Sequence, residues 1–181
     1  DGQDIKDYSQ EALRKSIGLV LQEPFLYHGT IASNIRMYHE ELTDEEIRQA
    51  AAFVDVADFI ESLPGGYDHP VTERGSTLST GQRQLLAFAR TIAAQPKILI
   101  LDEATANIDQ ETEEMIQNSL KKMRQGRTTI AIAHRLSTIQ DADCIYVLDK
   151  GKIIESGNHD QLITLGGTYK KMYDLQAGMM K

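Results

Sequence analysis

The sequence contains one cysteine, no tryptophan and four prolines among 181 residues. A single thiol forms no disulfide within the chain, which excludes a disulfide-stapled secreted domain and favours a reducing compartment. Cys144 begins an apolar run, residues 144–148, where we expect it to be a buried packing residue. No apolar run approaches the roughly 20 residues that a membrane-spanning helix needs, and we expect no signal peptide.

Charge and composition further restrict the kinds of protein that this chain can be. The net charge of −8 comes without a basic stripe, which argues against a nucleic-acid partner. The five histidines are scattered and lack the paired spacing of a zinc site. With 41% apolar and 25% charged residues, the chain is predicted to be globular, as one domain or two small lobes. It lacks an initiator Met, so we expect an excised part of a longer protein.

Apolar strands and amphipathic helices alternate along the chain. Residues 17–21 and 98–101 read as buried strands, residues 128–133 as a further strand, and residues 144–148 and 152–155 as a hairpin. Helices are predicted from a capping box at Thr43, over residues 81–94, after Asp109, and as two short helices at the end. This alternation predicts an α/β fold with a mostly parallel sheet and an inserted helical lobe over residues 43–94.

Residues 78–82, Leu-Ser-Thr-Gly-Gln, open one of these helices. A short loop that feeds a helix N-terminus directs several N–H groups and the positive end of the dipole at one spot, which suits a phosphate. A Ser-capped helix without a ligand is the alternative reading.

Two acidic side chains, Asp102 and Glu103, end the apolar strand 98–101. Neighbours at a strand end point to opposite sides, so one carboxylate can serve Mg²⁺ while the next faces a water molecule. A solvated loop would also explain the pair. His134 follows the next strand and could contact a phosphate, although a structural histidine is equally compatible with this position.

In chain order these features resemble the nucleotide-binding domain of ABC transporters over essentially the whole chain. Gln22 matches the Q-loop, residues 78–82 the signature usually written LSGGQ, and residues 98–102 Walker B. Glu103 matches the catalytic glutamate, Asp109 the end of the D-loop, and His134 the switch histidine. Residues 24–31, 73–75 and 134–138 resemble the exporter branch specifically.

The resemblance implies a P-loop NTPase-like α/β fold with an inserted helical signature subdomain. It divides the chain into residues 1–42, the core remnant with the Q-loop; 43–95, the helical subdomain; and 96–181, the core with Walker B, D-loop and switch histidine. The implied cofactors are ATP and Mg²⁺, with Asp102 and Gln22 at the metal and Glu103 as general base.

The resemblance also implies partners. His134 would contact the γ-phosphate, and Ser79, Gly81, Gln82 and Asp109 would take part in nucleotide binding between paired domains. A transmembrane domain would dock on residues 22–38, which places the protein at the cytoplasmic face of a membrane. Phe25 and Tyr27 are candidate contacts, as is Glu73, although core packing explains Phe25 equally well.

Some positions depart from the family pattern. Thr80 replaces the second glycine of the signature, and residues 106–109 read Ala-Asn-Ile-Asp where Ser-Ala-Leu-Asp is commoner, which hints at a heterodimeric exporter. The G-x-x-x-x-G-K-[ST] loop, Walker A, is absent, so we expect the chain alone to bind ATP poorly and to be inactive. Alternatives are a non-transport ABC ATPase of DNA repair or translation, and an inert interaction module.

Overall fold

The computed structural model describes residues 2–102, 110–133 and 135–178. The chain divides into two compact units, Asp1–Ile132 and Ala133–Lys181. The first unit contains the helices α1 Gln10–Ser16, α2 Ile31–Arg36, α3 Asp44–Phe53, α4 Ala57–Ser62, α5 Thr80–Ala93 and α6 Gln110–Arg124, and the strands β1 Ile17–Val20, β2 Gly29–Thr30, β3 Pro70–Val71, β4 Ile98–Asp102 and β5 Thr128–Ile132.

Three strands form a parallel sheet in the order β1-β4-β5. The register pairs Val20 of β1 with Leu101 of β4, and it pairs Asp102 of β4 with Ile132 of β5. Because all three strands run the same way, their carboxyl ends lie at one edge. The predicted α/β fold with a parallel sheet is therefore confirmed.

The two faces of this sheet differ. Val20, Leu99 and Leu101 lie on the face that belongs to the main core, which also contains side chains of α5 and α6. On the opposite face Leu19 and Ile130 are 52% and 56% exposed. The prediction that residues 17–21 form a buried strand was therefore wrong for one face of β1, because its side chains alternate between a covered face and an open face.

Helix α5 lies at the centre of the core. Ten of its fourteen residues are buried, because neighbouring elements enclose most of the helix surface. It packs against α2, α3 and α6 and against β1. The neighbouring helix α3 begins as predicted, since Thr43 Oγ1 accepts a hydrogen bond from the Glu46 N–H (3.2 Å) and Glu46 Oε2 accepts one from the Thr43 N–H (2.8 Å).

The second unit contains the strands β6 Ile145–Asp149 and β7 Lys152–Gly157 and the helices α7 His159–Leu165 and α8 Thr168–Gln176. The strands form the predicted hairpin, whose turn residues Lys150 and Gly151 have the positive φ angles of a two-residue turn. A small core includes Ile145, Val147 and Leu162.

Cys144 is exposed, so the prediction that it is a buried packing residue was wrong. Side chains alternate between the two faces of a strand. Ile145 and Val147 point into the small core, and Cys144 therefore falls on the same outward side as Tyr146 and Leu148, which are 58% and 66% exposed.

Among the described residues, none of the helices has both the length and the apolar content that crossing a membrane requires.

The contact between β1 and α5 leaves no room for a side chain at Gly18. A Cβ there would lie 2.7 Å from Thr91 Cγ2 and 2.8 Å from Pro96 Cγ. We expect Gly18→Ala to lower the free energy of unfolding by about 1–3 kcal/mol, as overpacking of a dense core does. Urea denaturation of the protein measures this loss.

Thr91→Ser provides the matched control, because it removes Cγ2 and keeps the hydroxyl that donates to the Ala87 carbonyl oxygen (2.9 Å). In the double variant we expect part of the loss to be recovered. Strictly additive losses would contradict the packing explanation.

Candidate nucleotide site

Both predicted metal-binding residues, Asp102 and Gln22, belong to chain segments at the carboxyl edge of the parallel sheet. Asp102 is the last residue of β4 and is half-buried. Gln22 follows the neighbouring strand β1 by two residues and is exposed. The parallel register brings these two chain segments to the same edge.

The face of the sheet on which Asp102 lies follows from the same register. Asp102 alternates with Leu101, which is buried in the core, and so belongs to the open face together with Ile100 and Ile132. Its carboxylate and the amide oxygen of Gln22 are the hard oxygen donors that Mg²⁺ prefers. Mg²⁺ usually keeps several water molecules and substrate oxygens as ligands, so two protein donors fit such a site.

The described residues contain no group of three or more acidic, histidine or cysteine side chains that could hold a metal ion. Glu103, Asp109 and His134 fall outside the part of the chain that the structure describes, as does the side chain of Glu73. Glu103 directly follows Asp102 in the chain, and position 134 comes two residues after the end of β5. Their predicted roles stay predictions.

The signature residues form the first turn of α5. Ser79 is the N-cap: its Oγ accepts a hydrogen bond from the Gln82 N–H (3.1 Å), and Gln82 Oε1 accepts one from the Ser79 N–H (2.9 Å). Ser79 is exposed and Gln82 is half-buried, whereas Gly81 is buried inside the turn. The helix begins one residue earlier than predicted, at Thr80.

Arg83 stabilises this turn through side-chain hydrogen bonds, a role that was not predicted from the sequence. Its Nη1 donates to the Leu78 carbonyl oxygen (2.6 Å) and its Nη2 donates to Thr80 Oγ1 (3.1 Å). The departure at Thr80 therefore adds a hydrogen bond that glycine could not make. The spacing of three residues between Thr80 and Arg83 places both on one side of a helix, and this spacing could have predicted the contact.

The predicted docking segment, residues 22–38, carries an exposed aromatic pair. Phe25 and Tyr27 are 41% and 45% exposed, and their ring centroids lie 4.8 Å apart in an edge-to-face arrangement. Leu26 between them is fully buried. Core packing thus accounts for Leu26 but not for the exposed part of Phe25.

The chain is similar to known proteins of one family. A family model described as ABC transporter matches residues 1–106. The chain is 76% identical over 180 residues to the putative ABC transporter ATP-binding protein exp8 of Streptococcus pneumoniae, covering 99% of this chain and 31% of that protein. It is 54% identical over 178 residues to the probable multidrug resistance ABC transporter ATP-binding/permease protein YheH of Bacillus subtilis, covering 98% of this chain and 26% of that protein.

A solved structure has the same fold. A bacterial Atm1-family ABC exporter with ATP bound superposes with a TM-score of 0.87 and 45% identity, covering 98% of this chain and 31% of that one. The chain therefore spans about a third or less of the length of these relatives. Since the family model matches more than half of the chain, the chain belongs to the ABC transporter ATP-binding family and is part of its ATPase domain.

Proposed function

We propose that this chain is the C-terminal part of the ATP-hydrolysing domain of an ABC exporter, which drives export of a small molecule, drug, lipid or peptide across a membrane. The parallel register of β1, β4 and β5 carries the proposal, because it directs Gln22, Asp102 and the chain leading to His134 to one edge. The similarity to YheH and to the Atm1-family exporter supports the exporter branch over a repair or translation ATPase.

At this edge, Asp102 and Gln22 would hold Mg²⁺, which neutralises charge on the phosphates when bound. Glu103 would accept the proton of the attacking water, a contribution of about 10²–10⁴-fold to the rate. His134 would donate a hydrogen bond to the terminal phosphate. The protein's task in such a reaction is mostly to position groups and to stabilise charge.

The signature turn would serve the nucleotide of a second ATPase domain. Ser79 Oγ already accepts from the Gln82 N–H, so its own proton is available for a phosphate oxygen outside the turn. Gly81 and Gln82 would complete this grip through the start of α5, and Asp109 would lie at the contact between the two domains. The negative net charge suits this role better than nucleic-acid binding.

The exposed pair Phe25 and Tyr27 supports the further proposal that residues 22–38 dock on a transmembrane domain. This would hold the protein at the cytoplasmic face of the membrane. We further propose that residues 1–42 and 96–181 are segments of the ATPase core and that residues 43–95 form a helical subdomain.

Replacing the proposed general base tests the reaction. In the full-length protein, we expect Glu103→Gln to lower the rate of ATP hydrolysis by about 10²-fold or more. ATP affinity should stay near the wild-type value, because the amide keeps the shape of the side chain. Phosphate release and equilibrium nucleotide binding measure the two quantities, and wild-type turnover in this variant would assign the base to another residue.

Two substitutions at Ser79 separate its structural role from its role at the nucleotide. Ser79→Ala should cost about 1 kcal/mol of unfolding free energy because the cap is lost, whereas Ser79→Gly should cost only a few tenths, since glycine is tolerated at an N-cap. Both remove the hydroxyl.

If the hydroxyl binds a phosphate, the two variants will lose hydrolysis to a similar extent despite their different stabilities. A loss of activity confined to Ser79→Ala would mean that Ser79 acts only as a helix cap. Thermal unfolding and steady-state hydrolysis, both measured on the full-length protein, decide between the two.

A further inference from the structure

The C-terminal helix α8 contacts the chain directly after the predicted switch histidine. Gln176, the last residue of this helix, accepts a hydrogen bond at Oε1 from the Leu136 N–H (2.8 Å), 40 positions earlier in the chain. Both residues belong to the second unit. Because Leu136 comes two positions after His134, the helix contacts the segment that is predicted to reach a phosphate.

The Leu136 N–H needs an acceptor from outside its own segment. Leu136 begins a single 3-10 turn, Leu136–Thr138, and the first N–H groups of a helical turn have no partner inside it. The Leu136 side chain is 5% exposed and belongs to the small core of the second unit. An N–H group held beside a core without an acceptor costs free energy. Gln176 supplies that acceptor.

The 3-10 turn is closed around the Arg135 carbonyl oxygen. This oxygen accepts from the Thr138 N–H (3.2 Å) and from Thr138 Oγ1 (2.7 Å). Leu136 is therefore held by its buried side chain, by this turn and by Gln176. Because two residues of chain span at most about 7 Å, whatever fixes Leu136 also limits the space that residue 134 can reach.

Helix α8 is itself anchored at its opposite end. The Glu155 carboxylate of β7 accepts from the Thr168 N–H and from the Tyr169 N–H (3.0 Å) in the first turn of α8. The bond from Tyr169 in particular lowers the pKa of the Glu155 carboxyl. The Tyr169 side chain is 1% exposed, and its hydroxyl lies 2.8 Å from His159 Nδ1 of α7. The helix that carries Gln176 is thus fixed to β7 and α7.

Gln176 is exposed, so core packing does not account for its contact with the segment around Leu136. Tyr173, almost one turn earlier in α8, adds a second contact, since its hydroxyl accepts from Gln140 Nε2 at 3.4 Å. The C-terminal helix therefore binds residues 136 and 140 through side-chain hydrogen bonds at its surface. Removing the Gln176 acceptor removes one such bond and leaves the small core filled.

We propose that Gln176 is a positioning residue for His134: by holding the Leu136 N–H, helix α8 fixes the segment that carries the histidine and thereby sets the rate of ATP hydrolysis. The inference rests on the proposed function, because it assigns a supporting residue to that same ATPase.

Steady-state kinetics of the full-length transporter with Mg-ATP test this role. Gln176→Leu removes the acceptor, and we expect kcat to fall about tenfold, since small misplacements of a reacting group cost up to 10²-fold in rate. The KM for ATP should stay within about twofold of wild type, because the lost interaction acts in the transition state. Gln176→Glu keeps an acceptor oxygen and should restore kcat to within about threefold of wild type.

A double-mutant cycle shows whether Gln176 acts through the histidine. In a His134→Ala background, Gln176→Leu should lower the remaining rate by less than about twofold, because the group that Gln176 positions is already absent. Release of radiolabelled phosphate measures this low rate. A full tenfold loss in that background would contradict the proposal.

Gln161→Leu is the matched control. Gln161 is likewise an exposed glutamine of the second unit whose Oε1 accepts a backbone hydrogen bond, from the Asn158 N–H (3.0 Å). Its loss weakens the cap of α7 but leaves Leu136 untouched, so kcat should stay at the wild-type value. Equal losses of kcat in the two leucine variants would mean that Gln176 contributes only to stability.

Hydrogen–deuterium exchange provides a readout that does not depend on turnover. In Gln176→Leu the Leu136 amide should exchange about five- to tenfold faster, the effect of losing one hydrogen bond, while the amides of the β6–β7 hairpin keep their rates. Unchanged exchange at Leu136, or exchange raised throughout the second unit, would overturn the proposal. Gln176→Ala is judged by the same criteria if the leucine variant does not accumulate.

Failure of the proposed function gives a different result. An unmodified transporter that does not hydrolyse ATP would refute the proposed function, and wild-type turnover in His134→Ala would refute the role of the histidine. In both cases the exchange of the Leu136 amide still shows whether Gln176 holds this segment.

Discussion

Burial of α5 is the constraint on which the rest of the first unit depends. The helix contacts α2, α3, α6 and β1, and Gly18 of that strand lies too close to it to carry a side chain. Because interiors are packed as densely as organic crystals, a helix held on so many sides has little freedom to shift by itself. The position of its exposed first turn therefore depends on the packing of the whole helix.

The proposed nucleotide site combines two structural devices of different origin. The parallel sheet supplies Gln22 and Asp102 at the carboxyl ends of neighbouring strands, where α/β folds commonly bind ligands. The helix supplies Ser79 and the first N–H groups of α5, where the dipole favours an anion. In the proposed arrangement, with nucleotide between two ATPase domains, one domain contributes the strand ends and the other contributes the helix N-terminus.

Local signals gave reliable predictions. The capping box at Thr43 and the hairpin turn at Lys150 and Gly151 each depend on contacts between residues three apart, and the structure has both. Cys144 shows where predictions from local patterns fail. An apolar run predicts a strand, but only the neighbouring elements decide which of its two faces is buried, and Cys144 lies on the exposed one.

By itself the sequence determined the α/β class, the positions of most helices and strands, and the family to which the chain belongs, because these follow from short-range patterns of apolar, capping and acidic residues. Tertiary structure alone decided which sheet face is covered, that Arg83 supports Thr80, and that Gln176 reaches the Leu136 N–H. The physical reason is sequence separation. The bond between Gln176 and Leu136 joins residues 40 positions apart, and only the packing of α8 in the small core brings them within hydrogen-bonding distance.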